Sequence, residues 1–303
     1  MYDPRKGDQA VVAQRLGPRS GPFEPARSNY FSVYLIESGS GTFWADASHF
    51  AFGPSSLLFF VPYQLVRFLP DAPIQGHIIQ FHANFLCVET FHAEVGCSGV
   101  LFNDPYGAPV VALDESARSE AASLIERIGA EQAARDLAYG EVMLAHLKVL
   151  LIFATRLKSS RRACEPKAAD PRHLVLARLA ELIEQNYRAL HYPADYAKLL
   201  HLTPKTLGRI VREHLGTTLT NLIRNRILIH AKWELLHTLK PVKEISRELG
   251  FSDELYFSRL FKKATGHSPT FFREFETEIR GGSNLSMFSG HAPILSSGAA
   301  PDS

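Results

Sequence analysis

The C-terminal third of the chain repeats itself. Ala197, Leu200, Leu202 and Thr203 correspond to Ser246, Leu249, Phe251 and Ser252 at an offset of 49, and Leu207, Arg209, Ile210, Val211 and Gly216 correspond to Phe257, Arg259, Leu260, Phe261 and Gly266 at an offset of 50. The one-residue slip between the two sets predicts an insertion in a turn. Each copy therefore reads as helix, tight turn, helix, with the second helix stopped by a glycine suited to a C-terminal cap.

At 100° per residue the second helix of each copy has two unlike faces. Phe257, Leu260, Phe261 and Ala264 share one side, and Leu255, Arg259 and Lys262 the other. In the first copy Leu207, Ile210, Val211 and His214 face inward, and Lys205, Arg209 and Arg212 face out. One amphipathic helix with a basic face is ordinarily just solvated, but arginine at the equivalent place in two copies argues for a polyanion. Charge agrees. The whole chain carries only +2, yet residues 172–275 hold 17 basic against 10 acidic residues, leaving the remainder with 16 against 21. A short apolar face anchoring a helix whose basic face is free suits the DNA major groove.

The pattern IxxxLGFSDxxxFSRxFKxxxGxSPxxFR, running from Ile245 to Arg273, resembles the signature of AraC/XylS-type transcriptional regulators. The resemblance covers about 172–275. It implies two helix-turn-helix units joined by a long central helix, here about 218–239, with Leu222, Ile223, Ile227, Ala231 and Leu235 inward. It also implies double-stranded promoter DNA as partner, with RNA polymerase alongside. Carried over, the base-facing positions fall on Lys205, Gly208 and Arg209 in the first unit and on Glu254, Leu255 and Arg259 in the second, with Arg212 and Lys262 beside them. Gly208 stands where a longer polar side chain is usual, and Leu255 offers only apolar contact, for example to a thymine methyl. His201 occupies the turn position where the family has glycine, and Ser246 one where it has alanine.

The N-terminal half has a different texture. Residues 1–28, rich in Pro, Gly and Arg, read as a loose arm. From 29 to about 112 short β-rich runs such as YFSVYLIE, SLLFFVP and GHIIQFH alternate with turn residues, which predicts a small barrel or sandwich. Helical periodicity follows, with one helix capped by Asp114 over 114–129 and a second over about 137–158. Residues 159–171 read as a linker and 276–303 as a disordered tail. The expected fold is α+β and multidomain: a cupin-like effector and dimerisation domain over 29–158, then an all-α DNA-binding domain over 172–275. The apolar stripe Leu144, Leu147, Leu151 and Ala154 is expected to pair with its symmetry mate in a homodimer.

Within the barrel, Tyr34, Trp44, Phe60, Phe68 and His77 are candidates to line a cavity for a small organic effector. The family's Pro-Gly-x-x-His after the LLFFV strand appears here as Pro62-Tyr63-Gln64-Leu65, without the glycine or the histidine. The His-x-His pattern of enzymatic cupins is absent, since His77 and His82 stand five apart, and no nucleophile elbow or phosphate loop occurs. The chain is therefore read as a regulator with no catalytic residues, metal or cofactor. A cupin-type metal-dependent enzyme, or a metal or redox sensor fused to a DNA-binding module, is the alternative, and His82, Cys87, His92 and Cys97 are the residues that would serve it. Three cysteines, one necessarily unpaired, no signal-peptide pattern and no apolar run long enough to span a bilayer predict a cytoplasmic protein without membrane contact.

Overall fold

A computed structural model describes residues 1–86, 100–102, 104, 106–164 and 171–280. The N-terminal half holds eight strands in two sheets among these residues. β1 (Val11–Arg19), β7 (Ile74–Phe81), β2 (Phe31–Ser38), β5 (Ser56–Phe60) and β8 (Val110–Ala112) form a five-stranded antiparallel sheet in that spatial order. β4 (Ser48–Phe52), β3 (Gly41–Ala45) and β6 (Val66–Pro70) form a three-stranded one. No ladder joins the two sheets among the described residues, so of the expected barrel or sandwich the chain forms an open, two-sheet sandwich.

The alternation on β2 explains both layers. Val33 sits opposite Phe59 and Ile79, and Leu35 opposite Leu57. These residues, all buried, turn toward the helices α1 (Glu115–Ala134) and α2 (Tyr139–Cys164). Tyr34 and Ile36 point the other way, into the sandwich with Phe43, Phe52, Phe60 and Phe68. A strand apolar on both faces is thus buried on both faces. α1 begins where the sequence predicts: the Asp114 side chain accepts from the Ala117 N–H.

Several boundaries differ from the sequence reading. Residues 1–28 are no loose arm, because β1 pairs with β7 along its length and Tyr2 and Asp3 are buried. Helix α2 runs on to Cys164, through the first half of the expected linker. Its stripe of Leu147, Leu151 and Ala154 is buried within the protomer against α1 and the sheet, so it is not a free dimer face, while Leu137 lies outside the helix and is fully exposed.

Among the described residues the regular elements of the C-terminal half are all helices. α3 (Pro171–Asn186) leads into the first unit, α4 (Pro193–Leu199) and α5 (Pro204–Leu215). The central helix α6 (Leu219–His237) joins it to the second unit, α7 (Val242–Glu248) and α8 (Glu254–Thr265), and α9 (Pro269–Ile279) closes the domain. The inserted residue is found in the second turn: α4 and α7 start 49 apart, while the caps Thr203 and Asp253 lie 50 apart. Leu222, Ile223, Ile227, Ala231 and Leu235 line the buried side of α6, as their spacing predicts. The expected tail is corrected at its beginning, since Glu276 and Ile279 are buried on α9; residues 281–303 lie outside the described residues.

Candidate nucleic-acid interface

Both reading helices are built the same way. A threonine or aspartate side chain caps the N-terminus: Thr203 accepts from the Thr206 N–H and Asp253 from the Leu255 N–H. The C-terminus ends at Gly216 (φ 60°) and Gly266 (φ 88°), both in the left-handed region. Between the caps, Leu207 and Val211 in α5 and Phe257 and Phe261 in α8 are fully buried and anchor each helix in one common core. The tight turn before each reading helix needs a left-handed residue. Gly250 supplies it in the second unit at φ 80°, and a β-carbon there would stand 2.1 Å from the Arg188 carbonyl oxygen. His201 adopts the same conformation in the first unit at φ 53°.

This scaffold leaves the predicted readers outward. Lys205, Arg209 and Arg212 on α5 and Leu255, Arg259 and Lys262 on α8 are exposed, while Gly208 and Glu254 are half-buried. Leu255 is 71% exposed, which leaves its apolar side chain available for contact on the outer face. Tyr256, about half exposed on the same turn, is a further candidate reader that the sequence pattern did not single out. The two central arginines are held in place by weak ion pairs: Arg209 with Glu213 at 3.5 Å and Arg259 with its cap Asp253 at 3.7 Å. Such exposed pairs contribute at most about 1 kcal/mol and exchange readily for a base or a phosphate.

The candidate effector residues do not converge. Tyr34, Phe60 and Phe68 are buried and pack ring to ring at 5.4–5.9 Å, so the interior of the sandwich is filled by aromatic side chains. Trp44 is 41% exposed and lies over His49 on the outer surface. His77 sits on β7 with Nε2 3.5 Å from a Glu37 carboxylate oxygen. A cavity of about 110 Å³ lies instead between the sheet domain and α6, with Asp46, Phe50, Phe102, Leu228, Ile229 and Lys232 in its wall. Burial pushes the Lys232 amine down and the Asp46 carboxyl up, each only partly offset by the other's charge.

His82 is buried, with Nδ1 accepting from the Asn84 N–H, which leaves the ring proton on Nε2, 3.4 Å from Glu276. Cys87, His92 and Cys97 lie outside the described residues. Among the described residues no three His, Cys, Asp or Glu side chains converge as a metal site would require. Nor is any helix among them long and apolar enough to cross a membrane.

The helix-turn-helix domain family matches residues 196–274, from within α4 through the second unit and the helix between the units. This C-terminal domain is of the AraC type. The chain is 39% identical over 80 residues to the arabinose operon regulatory protein of Salmonella typhimurium, a match covering 26% of this chain and 28% of that protein. It is 25% identical over 177 residues to the HTH-type transcriptional activator RhaR of an Enterobacter species, covering 57% of this chain and 60% of the other. ToxT from Vibrio cholerae superposes on 88% of this chain and 99% of its own, at 13% identity and a TM-score of 0.37. Between the two copies the buried anchors repeat, Leu207 with Phe257 and Val211 with Phe261, while the exposed Lys205 is matched by Leu255.

Proposed function

We propose that the chain is a sequence-specific, DNA-binding transcription regulator whose α5 and α8 enter successive major-groove segments of one operator. The observation that carries this reading is the open basic face of both helices in the full chain. The sheet domain packs on their C-terminal caps, near Gly216 and Gly266, and leaves Lys205, Arg209, Leu255 and Arg259 clear. Each protomer is organised as a sheet domain with helices α1 and α2, followed by the AraC-type domain. A small organic effector fits the reading best in the cavity against α6, where a bound molecule would touch both halves, rather than in the filled sandwich. A homodimer would use the solvent side of α2, where Val149 is about half exposed.

The test is binding of the full chain to a library of randomised duplexes, read at several salt concentrations. The expected result is an enriched sequence with two separated conserved blocks, and an affinity that falls linearly on a log–log salt scale. Retention of all duplexes alike would refute sequence-specific regulation.

A further inference from the structure

Tyr63 stands where the family pattern has glycine, and its backbone keeps a conformation suited to glycine, φ 66°. A side chain with a β-carbon is disfavoured there, and a bulky one especially so. The Tyr63 ring leaves the sheet domain and enters the core of the AraC-type domain, 5.1 Å from Phe272 and 5.7 Å from His267, and only 2% of the residue remains exposed. Its hydroxyl donates to Glu276 of α9, a carboxylate that Asn29 and His82 of the sheet domain also approach at 3.4 Å. The Tyr63 N–H donates to the Ser28 carbonyl at 2.7 Å and ties the turn down. An unfavourable backbone held in place by its surroundings points to a use for the side chain.

The surface pinned by Tyr63 also touches the end of each reading helix. The His49 N–H donates to the Gly216 carbonyl at 3.2 Å, and a β-carbon on Gly216 would lie 2.4 Å from the His49 carbonyl oxygen, so backbone meets backbone at the cap of α5. At the cap of α8, the Arg27 guanidinium comes within 3.2 Å of the β-carbon position on Gly266. Between them Lys232 of α6 donates to the Pro62 carbonyl at 3.2 Å. The two units share one core along the linking helix, and their outer ends, the caps of α5 and α8, lie at its margin. A second body braced against both caps restrains the relative motion that the shared core still permits.

We propose that Tyr63 pins the sheet domain to the AraC-type domain and that the docked sheet domain sets the separation of the two reading helices, making operator spacing a property of the full chain. This rests on the reading of α5 and α8 as DNA-reading helices. Tyr63 is a positioning residue in this scheme and touches no DNA.

The experiment uses Tyr63→Gly and Tyr63→Phe in the full chain, with two readouts. The chain's two tryptophans divide between the halves, Trp44 in β3 and Trp233 in α6, so Trp44→Phe and Trp233→Phe backgrounds let fluorescence report each half's urea unfolding separately. With Tyr63 present the two transitions should coincide; with Tyr63→Gly they should separate, and with Tyr63→Phe, which keeps the ring and loses the bond to Glu276, the separation should be smaller. The second readout is a set of operators differing only in the spacer between the two conserved blocks. The wild-type chain should lose about tenfold in affinity for a one-base-pair change in spacer, and Tyr63→Gly should lose less than about threefold while binding the best operator comparably. If Tyr63→Gly fails to fold, Tyr63→Phe decides by the same readouts. Coincident unfolding in the variants, or an unchanged spacer profile, would overturn the proposal. A wild-type chain with no operator preference at all would instead bring down the DNA-reading assignment, and the spacing claim with it, while the unfolding readout would still judge the pin.

Discussion

Replacing Glu276 with glutamine tests the polar junction between the two halves. The carboxylate is 2% exposed. It accepts from the Tyr63 hydroxyl, from Asn29 at 3.4 Å and from Arg280 at 3.3 Å, and it faces the proton-bearing Nε2 of His82 at 3.4 Å. Burial alone would raise the carboxyl's pKa, but the His82 contact, the Arg280 charge and the Tyr63 bond outweigh it and hold the group below its ordinary value of 4.5. Glutamine has the same shape, yet only one oxygen. It can satisfy one or two of the four donors and turns its own N–H groups toward the rest. Breaking a buried pair costs about 3–5 kcal/mol, and the Arg280 side chain, 13% exposed, recovers some solvation, so about 3 kcal/mol is expected. That corresponds to a Tm lowered by about 5 °C for a chain of 303 residues. The pH dependence follows from the direction of the shift. A carboxyl depressed in the folded state contributes fully above its unfolded pKa and loses that contribution as pH falls through the folded one. The gap between wild type and Glu276→Gln should thus be constant above about pH 5.5 and close progressively below 4.5. Differential scanning calorimetry from pH 7 down to acid measures both features. A gap below about 1 kcal/mol at pH 7, or one that widens in acid, would refute the reasoning.

Arg259→Ala should cost about 1–3 kcal/mol of operator affinity and relax preference at one base pair, whereas Lys262→Ala should weaken all sequences alike and reduce the salt slope by about 1; fluorescence anisotropy against a randomised library separates the two. The two turns should respond oppositely to glycine chemistry. His201→Gly relieves a left-handed backbone (φ 53°) and should stabilise by up to about 1 kcal/mol, whereas Gly250→Ala must accommodate both a φ of 80° and a contact of 2.1 Å with Arg188, and should cost about 3 kcal/mol in urea unfolding. Leu147 is buried against the protomer's own sheet and α1, so Leu147→Ala should cost about 2–5 kcal/mol of stability without changing the oligomeric state seen by light scattering.

Features written in neighbouring residues were legible from the sequence. The caps at Asp114 and Thr203, the glycine stops at 216 and 266, the anchors Phe257 and Phe261 and the outward arginines follow from helical period and local capping, which involve residues within about four positions of each other. The inserted residue between the repeats was legible too, because two copies of one pattern calibrate each other. What composition could not decide was which aromatic residues stay inside the sandwich and which leave it. Tyr34, Phe60 and Phe68 fill the space offered as a cavity, while Trp44, of similar character, lies outside, because each sheet's face is chosen by what packs on it and not by the strand itself. The stripe on α2 was read as a dimer seam for the same reason: an apolar face announces burial without saying against what.

The sequence by itself determined the paired helix-turn-helix units, their basic faces and the turn residues between them, since each rests on a short-range rule of backbone geometry. Tertiary structure alone decided how the halves meet. The turn at Pro62-Tyr63 lacked the family's glycine, a departure visible in the sequence, but its meaning depends on Glu276, 213 residues away, and on the caps at Gly216 and Gly266. Contacts between residues so distant in the chain are set by the packing of whole domains, which no local period encodes.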